Sequence, residues 1–131
     1  MFSKFALFAS LSMALVVGLG AFGAHGLKQL LPPAQIITFE TGVRYQMYHS
    51  FAIFCAIFLS MQYSNATQKL IFACKLFVAG IVVFSGSLYA LTITNILAKS
   101  GFNWFVAITP IGGLCFIAGW LYMAFAIVQK K

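Results

Sequence analysis

Apolar residues fill residues 5–25, 33–62, 70–91 and 108–128 with few interruptions, and short polar stretches separate these runs. About 20 apolar residues in a helix match the ~30 Å hydrocarbon core of a bilayer, so each run predicts a transmembrane helix. The punctuation fits. Gly26 follows the first run and suits a helix stop. Pro33 opens the second, where its missing N–H would be unpaired anyway. Residues 62–68 form a polar turn. Residues 92–105 read as a longer loop with one helical turn over 95–99, and Pro110 suits the first turn of the last helix. The predicted fold is all-α: a single membrane domain over residues 1–131, built as a four-transmembrane-helix bundle with both termini on one side.

The first run also resembles a signal peptide, with Lys4 ahead of it and small residues at 20–24. Ser10, Ala14, Gly18, Ala21 and His25 nevertheless form a small or polar seam at helical spacing. A discarded segment has no use for such a seam, so the run is read as a retained helix packing through it.

The second run carries the polar chemistry. It holds the only acidic residue, Glu40, the only arginine, Arg44, and one of two histidines, His49. At about 100° per residue, Phe39, Val43, Met47, Phe51, Phe54, Ile57, Phe58 and Met61 fall in one bulky sector, expected to face lipid. Gly42, Tyr45, His49, Ala52, Ala56 and Ser60 fall opposite, where small residues let another helix approach. Tyr45 and His49 are therefore expected inside the bundle. Glu40, Arg44 and Tyr48 lie on a flank. Glu40 and Arg44 are spaced i, i+4 in the favourable order for an ion pair, which would offset the cost of placing either charge near hydrocarbon.

Composition reinforces the membrane reading. Only 7% of residues are charged, against about 25% in globular domains, too few to cover a soluble surface. The net charge of +7 comes from bases scattered singly between apolar runs, which suits membrane-edge anchors and no nucleic-acid patch. Lys4, Lys69, Lys75, Lys130 and Lys131 fall on one face and Lys28, Lys99 and Arg44 on the other. The positive-inside rule then places both termini in the cytoplasm. Cys55, Cys74 and Cys115 are odd in number, lack paired spacing and read as buried small hydrophobes. Phe102, Trp104 and Phe105 suit the headgroup level.

With that topology, His25, Glu40, Arg44, Tyr45, Tyr48, His49, Ser85, Ser87, Tyr89 and Thr109 gather in the non-cytoplasmic half of the bundle. They predict a polar pocket open on one side, with no continuous pore.

Four motifs in order, residues 20–27 (GAFGAHGL), 40–49 (ETGVRYQMYH), 85–89 (SGSLY) and 109–114 (TPIGGL), resemble the small membrane-protein family catalogued as domain of unknown function 423, whose eukaryotic relatives are called transmembrane protein 256. The resemblance covers nearly the whole chain. It implies a four-helix integral protein, in bacteria of the inner membrane, and implies no activity. Arg44, Tyr45, Gln46 and His49 match its pattern directly, which adds Gln46 to the candidate residues.

Three function classes follow. A binding or accessory protein would hold a lipid headgroup, a small anion, a partner helix or a second copy beside Arg44, whose planar donors suit phosphate. The alternative is a small transporter or proton-coupled carrier acting as an oligomer, since His and Glu inside membranes mark such paths. An enzyme is not expected: no activated nucleophile, phosphate loop or acid pair is present. Metal binding is not expected either, because Glu40 and His49 point to nearly opposite sides of one helix. No cofactor is called for.

Overall fold

The computed structural model describes residues 1–98 and 104–128, with side chains for 1–97 and 104–128. Lys99, Phe102, Lys130 and Lys131, used above for sidedness and interfacial anchoring, lie outside them. Helix α1 spans Phe2–His25, and a 3-10 turn at Leu27–Gln29 reverses the chain. Helix α2 spans Pro33–Gln62. After a 3-10 turn at Ser64–Ala66 comes one continuous rod: α3 over Thr67–Gly80, a π-helical turn over Ile81–Ser85, and α4 over Gly86–Ala98. Helix α5 spans Trp104–Val128. No strand occurs among the described residues.

Phe2–Gln29, Ser64–Leu97 and Trp104–Val128 are long and apolar enough to cross a membrane. The polar residues of α2 keep it below that hydropathy, yet its 30 residues rise about 45 Å at 1.5 Å each. It runs through the middle of the bundle, packed on α1 at one side and on α3, the π turn and α4 at the other. The end of the bundle where Phe2 and Ala9 cluster with Met123 and Ala126 is called the termini face below, and the opposite one the loop face.

That central position corrects the face assignment for α2. Phe51, Phe54, Phe58 and Met61 are exposed as expected, but Phe39 and Val43 are buried against α1 and the turn after it. Gly42 is buried against Leu88 and Tyr89 of α4, and His49, Ala52 and Ala56 are buried near α3. A helix with neighbours on two sides buries about half its circumference, which a single apolar stripe does not describe. The seam expected on α1 is also displaced. Ser10, Ala14, Gly18, Ala21 and His25 are exposed, while Ala9, Ser12, Val16 and Gly23 face α2. Gly23 supplies the close approach: a Cβ there would lie 3.0 Å from the Phe39 ring.

Three boundaries differ in kind. Gly26 ends α1 with right-handed φ −75° and ψ −46°. Its small size matters instead, since a Cβ would lie 2.7 Å from the Phe22 ring. The third rod stays helical through Ala98 where a loop was expected from residue 92. Helix α5 starts at Trp104, so Pro110 sits inside it and not in its first turn. Pro110 has no N–H for the carbonyl of Val106. Trp104 and Phe105 stack at 4.3 Å on the loop face. Cys74 is buried and Cys115 partly so, but Cys55 is exposed on the lipid-facing side of α2.

The apolar interior falls into two clusters. One lies toward the termini face and includes Ala9, Ala52, Ile53, Ala56, Leu70, Phe77, Ile81 and Phe116. The other lies toward the loop face and includes Val16, Leu27, Leu31, Ile36, Phe39 and Val43. On α1 the two are separated at Ser12; on α2 they are separated at Gln46, His49 and Ser50.

Candidate functional site

The boundary between the clusters is a hydrogen-bonded polar layer. Ser12 lies near the midpoint of α1, and Gln46 and Ser50 flank the midpoint of α2. Gln46 Nε2 donates to Ser12 O and Ser12 Oγ, both at 3.1 Å. Ser50 Oγ lies 2.8 Å from Ser12 Oγ and 2.8 Å from Gln46 O. Tyr89 on α4 donates from its hydroxyl to Gln46 Oε1 at 2.7 Å. Hydrocarbon offers no alternative partner, so buried polar groups at this depth must bond to one another. Gln46 is 3% exposed and Ser50 fully buried.

Two further bonds tie the rods together on the loop-face side. Ser85 Oγ, at the end of the π turn, donates to Gly42 O at 2.7 Å. Ser87 Oγ and Thr109 Oγ1 lie 2.7 Å apart and link α4 to α5. The π turn is seated by a glycine of α5: a Cβ on Gly112 would fall 2.7 Å from Phe84 Cα. Gly42 places Tyr89 similarly, since a Cβ there would lie 3.0 Å from the tyrosine ring. The Tyr89 ring also meets Phe39 at 5.3 Å.

His49 is buried, as the sequence predicts, in an aromatic box. Its ring lies flat on Phe116, with centroids 3.4 Å apart and planes 7° apart. Tyr45, Phe77 and Trp120 surround it. Nδ1 sits 2.7 Å from Tyr45 O. A carbonyl accepts only, so Nδ1 carries the proton of that bond.

The other candidates do not join this layer. His25 is exposed at the end of α1. Tyr48 is 50% exposed and Tyr45 39% exposed, Tyr45 leaning on Phe84 at 4.7 Å. The expected Glu40–Arg44 ion pair is absent, and Arg44 donates to Thr41 Oγ1 at 3.3 Å instead. Both charged side chains are exposed, so water and headgroups compete for them and helical spacing alone does not hold the pair. Glu40 and Arg44 line a cleft of about 220 Å³ opened by Gly20 and Gly23. Glu40 also lines a neighbouring cleft of about 390 Å³ with Lys28. No grouping of three or more metal-ligating side chains occurs among the described residues.

Ser12 was missed by the sequence reading. It sits in an apolar run two positions from Ser10, and nothing local separates the buried serine from the exposed one. The unpaired amide of Gln46 on the neighbouring helix was the available signal, because a buried glutamine requires partners.

These features define a small all-α integral membrane protein with a hydrogen-bonded layer of Ser12, Gln46, Ser50 and Tyr89 near mid-depth. The chain belongs to the family described as "Protein of unknown function (DUF423)", whose model matches residues 19–113. It is 41% identical to the UPF0382 membrane protein YwdK of Bacillus subtilis, over 95% of this chain and 96% of that one. It is 39% identical to a UPF0382 membrane protein of Haemophilus influenzae, over 98% and 97%. It is 34% identical to the UPF0382 inner membrane protein YgdD of Escherichia coli, over 100% and 95%. No solved structure matches the chain. The family and the apolar helices place it in the bacterial inner membrane.

Proposed function

We propose that the protein is a non-enzymatic binding or accessory protein that holds a phosphate-bearing lipid headgroup at its loop face, between Lys28, Glu40 and Arg44. The observation that carries this reading is the missing ion pair. Glu40 lines one cleft with Arg44 and the adjoining one with Lys28, yet makes no ion pair among the described residues. A phosphate would satisfy the cations, Arg44 through its planar donors. An ammonium on the same headgroup would satisfy Glu40. Phe39, Val43, Leu31 and Ile36 give the clefts apolar walls, which favours a lipid over free phosphate. Gln35 Oε1, in the first turn of α2, is a buried acceptor without a partner at the same end. The apolar clusters above and below the polar layer weigh against a proton-coupled carrier.

The test is native mass spectrometry of the full chain released from nanodiscs of phosphatidylethanolamine, of phosphatidylglycerol and of a neutral diacylglycerol-doped mixture. Phospholipid should be retained by the parent protein and lost several-fold in Arg44→Ala and Lys28→Ala. Millimolar inorganic phosphate should not displace it; displacement would show that the anion alone is recognised. Retention unchanged in both variants would overturn the reading.

A further inference from the structure

The polar layer borders a cleft separate from those at Glu40 and Arg44. This cleft, of about 310 Å³, opens between α1 and the π turn with α4. Its rim is Leu11, Leu15 and Val82, each more than half exposed, so it opens sideways into hydrocarbon. Its floor carries Ser12, Gln46 and Tyr89. We propose that this cleft binds an uncharged lipid alcohol, a hydrocarbon chain whose hydroxyl donates to the Tyr89–Gln46 pair.

The hydrogen-bond inventory selects the ligand. Gln46 Nε2 faces two acceptors on Ser12. Ser50 Oγ donates toward Ser12 Oγ and Gln46 O, one proton shared between two acceptors. The Tyr89 proton goes to Gln46 Oε1. The protons of Gln46 Nε2, Ser50 and Tyr89 are thus committed. What remains at the Tyr89–Gln46 pair is acceptor capacity: a lone pair on the Tyr89 oxygen and the second lone pair of Gln46 Oε1. A hydroxyl supplies the missing donor. A ketone, quinone or ester supplies only acceptors and could join this pair only by breaking the bond between Tyr89 and Gln46. A charged headgroup is disfavoured, since no charged side chain lines the cleft and the floor sits near the helix midpoints, where charge is costly. The apolar rim accommodates the chain, and the π turn shapes the wall; such turns recur at functional sites.

The experiment uses the full chain in nanodiscs with diazirine-bearing probes: a straight-chain alcohol, an isoprenoid alcohol, and the methyl ether and ketone of each. At least one alcohol should label peptides containing Leu15 and Val82, with competition by its unlabelled form. Its ether and ketone should label about fivefold less, the factor that one net hydrogen bond of about 1 kcal/mol provides. Tyr89→Phe leaves Gln46 Oε1 free to accept and should keep the alcohol preference, whereas adding Gln46→Leu, which removes the remaining acceptor, should bring alcohol labelling down to the ether level. Leu15→Trp, which fills the mouth, should abolish it, whereas Phe58→Trp, on the exposed face of α2, should not. Equal labelling by alcohol, ether and ketone overturns the proposal, as does labelling indifferent to Leu15→Trp. The probe comparison on the unaltered chain decides the matter even if the Tyr89 and Gln46 variants do not fold.

Discussion

Gln46 on α2 and Tyr89 on α4 meet in a 2.7 Å hydrogen bond near mid-depth, and the other end of the same amide bonds to Ser12 on α1. One side chain therefore clamps three rods. Its position between two apolar clusters fixes the depth at which the rods register, because sliding any of them would leave a buried amide, hydroxyl or phenol unpaired.

Replacing Gln46 with Leu should destabilise the bundle by about 2 kcal/mol, since interhelical hydrogen bonds in membranes are worth about 0.6 kcal/mol on average and up to about 1.7. Tyr89→Phe should cost about 0.6 kcal/mol. The double variant should cost less than the sum of the two. Reversible unfolding in dodecyl sulfate measures all three, and strict additivity would show that the bond between these residues contributes nothing.

Close packing at the π turn makes a second, contrasting pair. A Cβ on Gly112 would press on the backbone of Phe84, whereas the nearest atom to a Cβ on Gly113 is 3.9 Å away. Backbone cannot swing aside as a side-chain tip does. Gly112→Ala should therefore cost about 1–3 kcal/mol, the usual range for overpacking, and Gly113→Ala should be near neutral. Unfolding midpoints of the two variants give the comparison directly; equal effects would mean that α5 does not seat on the turn as described.

What the sequence reveals and what it hides follow from the same physics. The helices are legible because hydrocarbon demands long apolar runs, and Pro33 and Gly26 mark real boundaries. Gln46, His49, Ser85, Ser87, Tyr89 and Thr109 all make buried or partly buried contacts, as polar residues in such runs must. The periodicity of α2 describes the faces of one helix but not how many neighbours it has, so Phe39 and Val43 were assigned to lipid. The π turn leaves no mark in composition. Ser12 could be recognised only from its partner, because its bonding depends on α2 lying beside it.

Glu40 and Arg44 give a prediction opposite to the one their spacing suggests. They share a cleft without an ion pair, and the guanidinium donates to Thr41. Glu40→Gln and Arg44→Ala should thus be additive in stability to within about 0.3 kcal/mol, as for uncoupled sites. Arg44→Ala alone should cost under about 0.5 kcal/mol, typical of exposed positions. A coupling near 1 kcal/mol in the double-variant cycle would restore the ion pair as a structural device.

His49 separates packing from polarity. The ring is stacked on Phe116 and boxed by Tyr45, Phe77 and Trp120, while its Nδ1–H adds one bond to Tyr45 O, a carbonyl that helix geometry also supplies with the His49 amide. Removing that added bond leaves no acceptor unsatisfied. His49→Phe preserves the flat stack and should lower stability by no more than about 1 kcal/mol. His49→Ala empties the box and should cost about 3 kcal/mol or more, as truncation of a buried aromatic does. The two values, read from the same dodecyl sulfate titration, rank the contributions. If phenylalanine proves as damaging as alanine, the imidazole is held for its nitrogen chemistry, and the packing account of this residue fails.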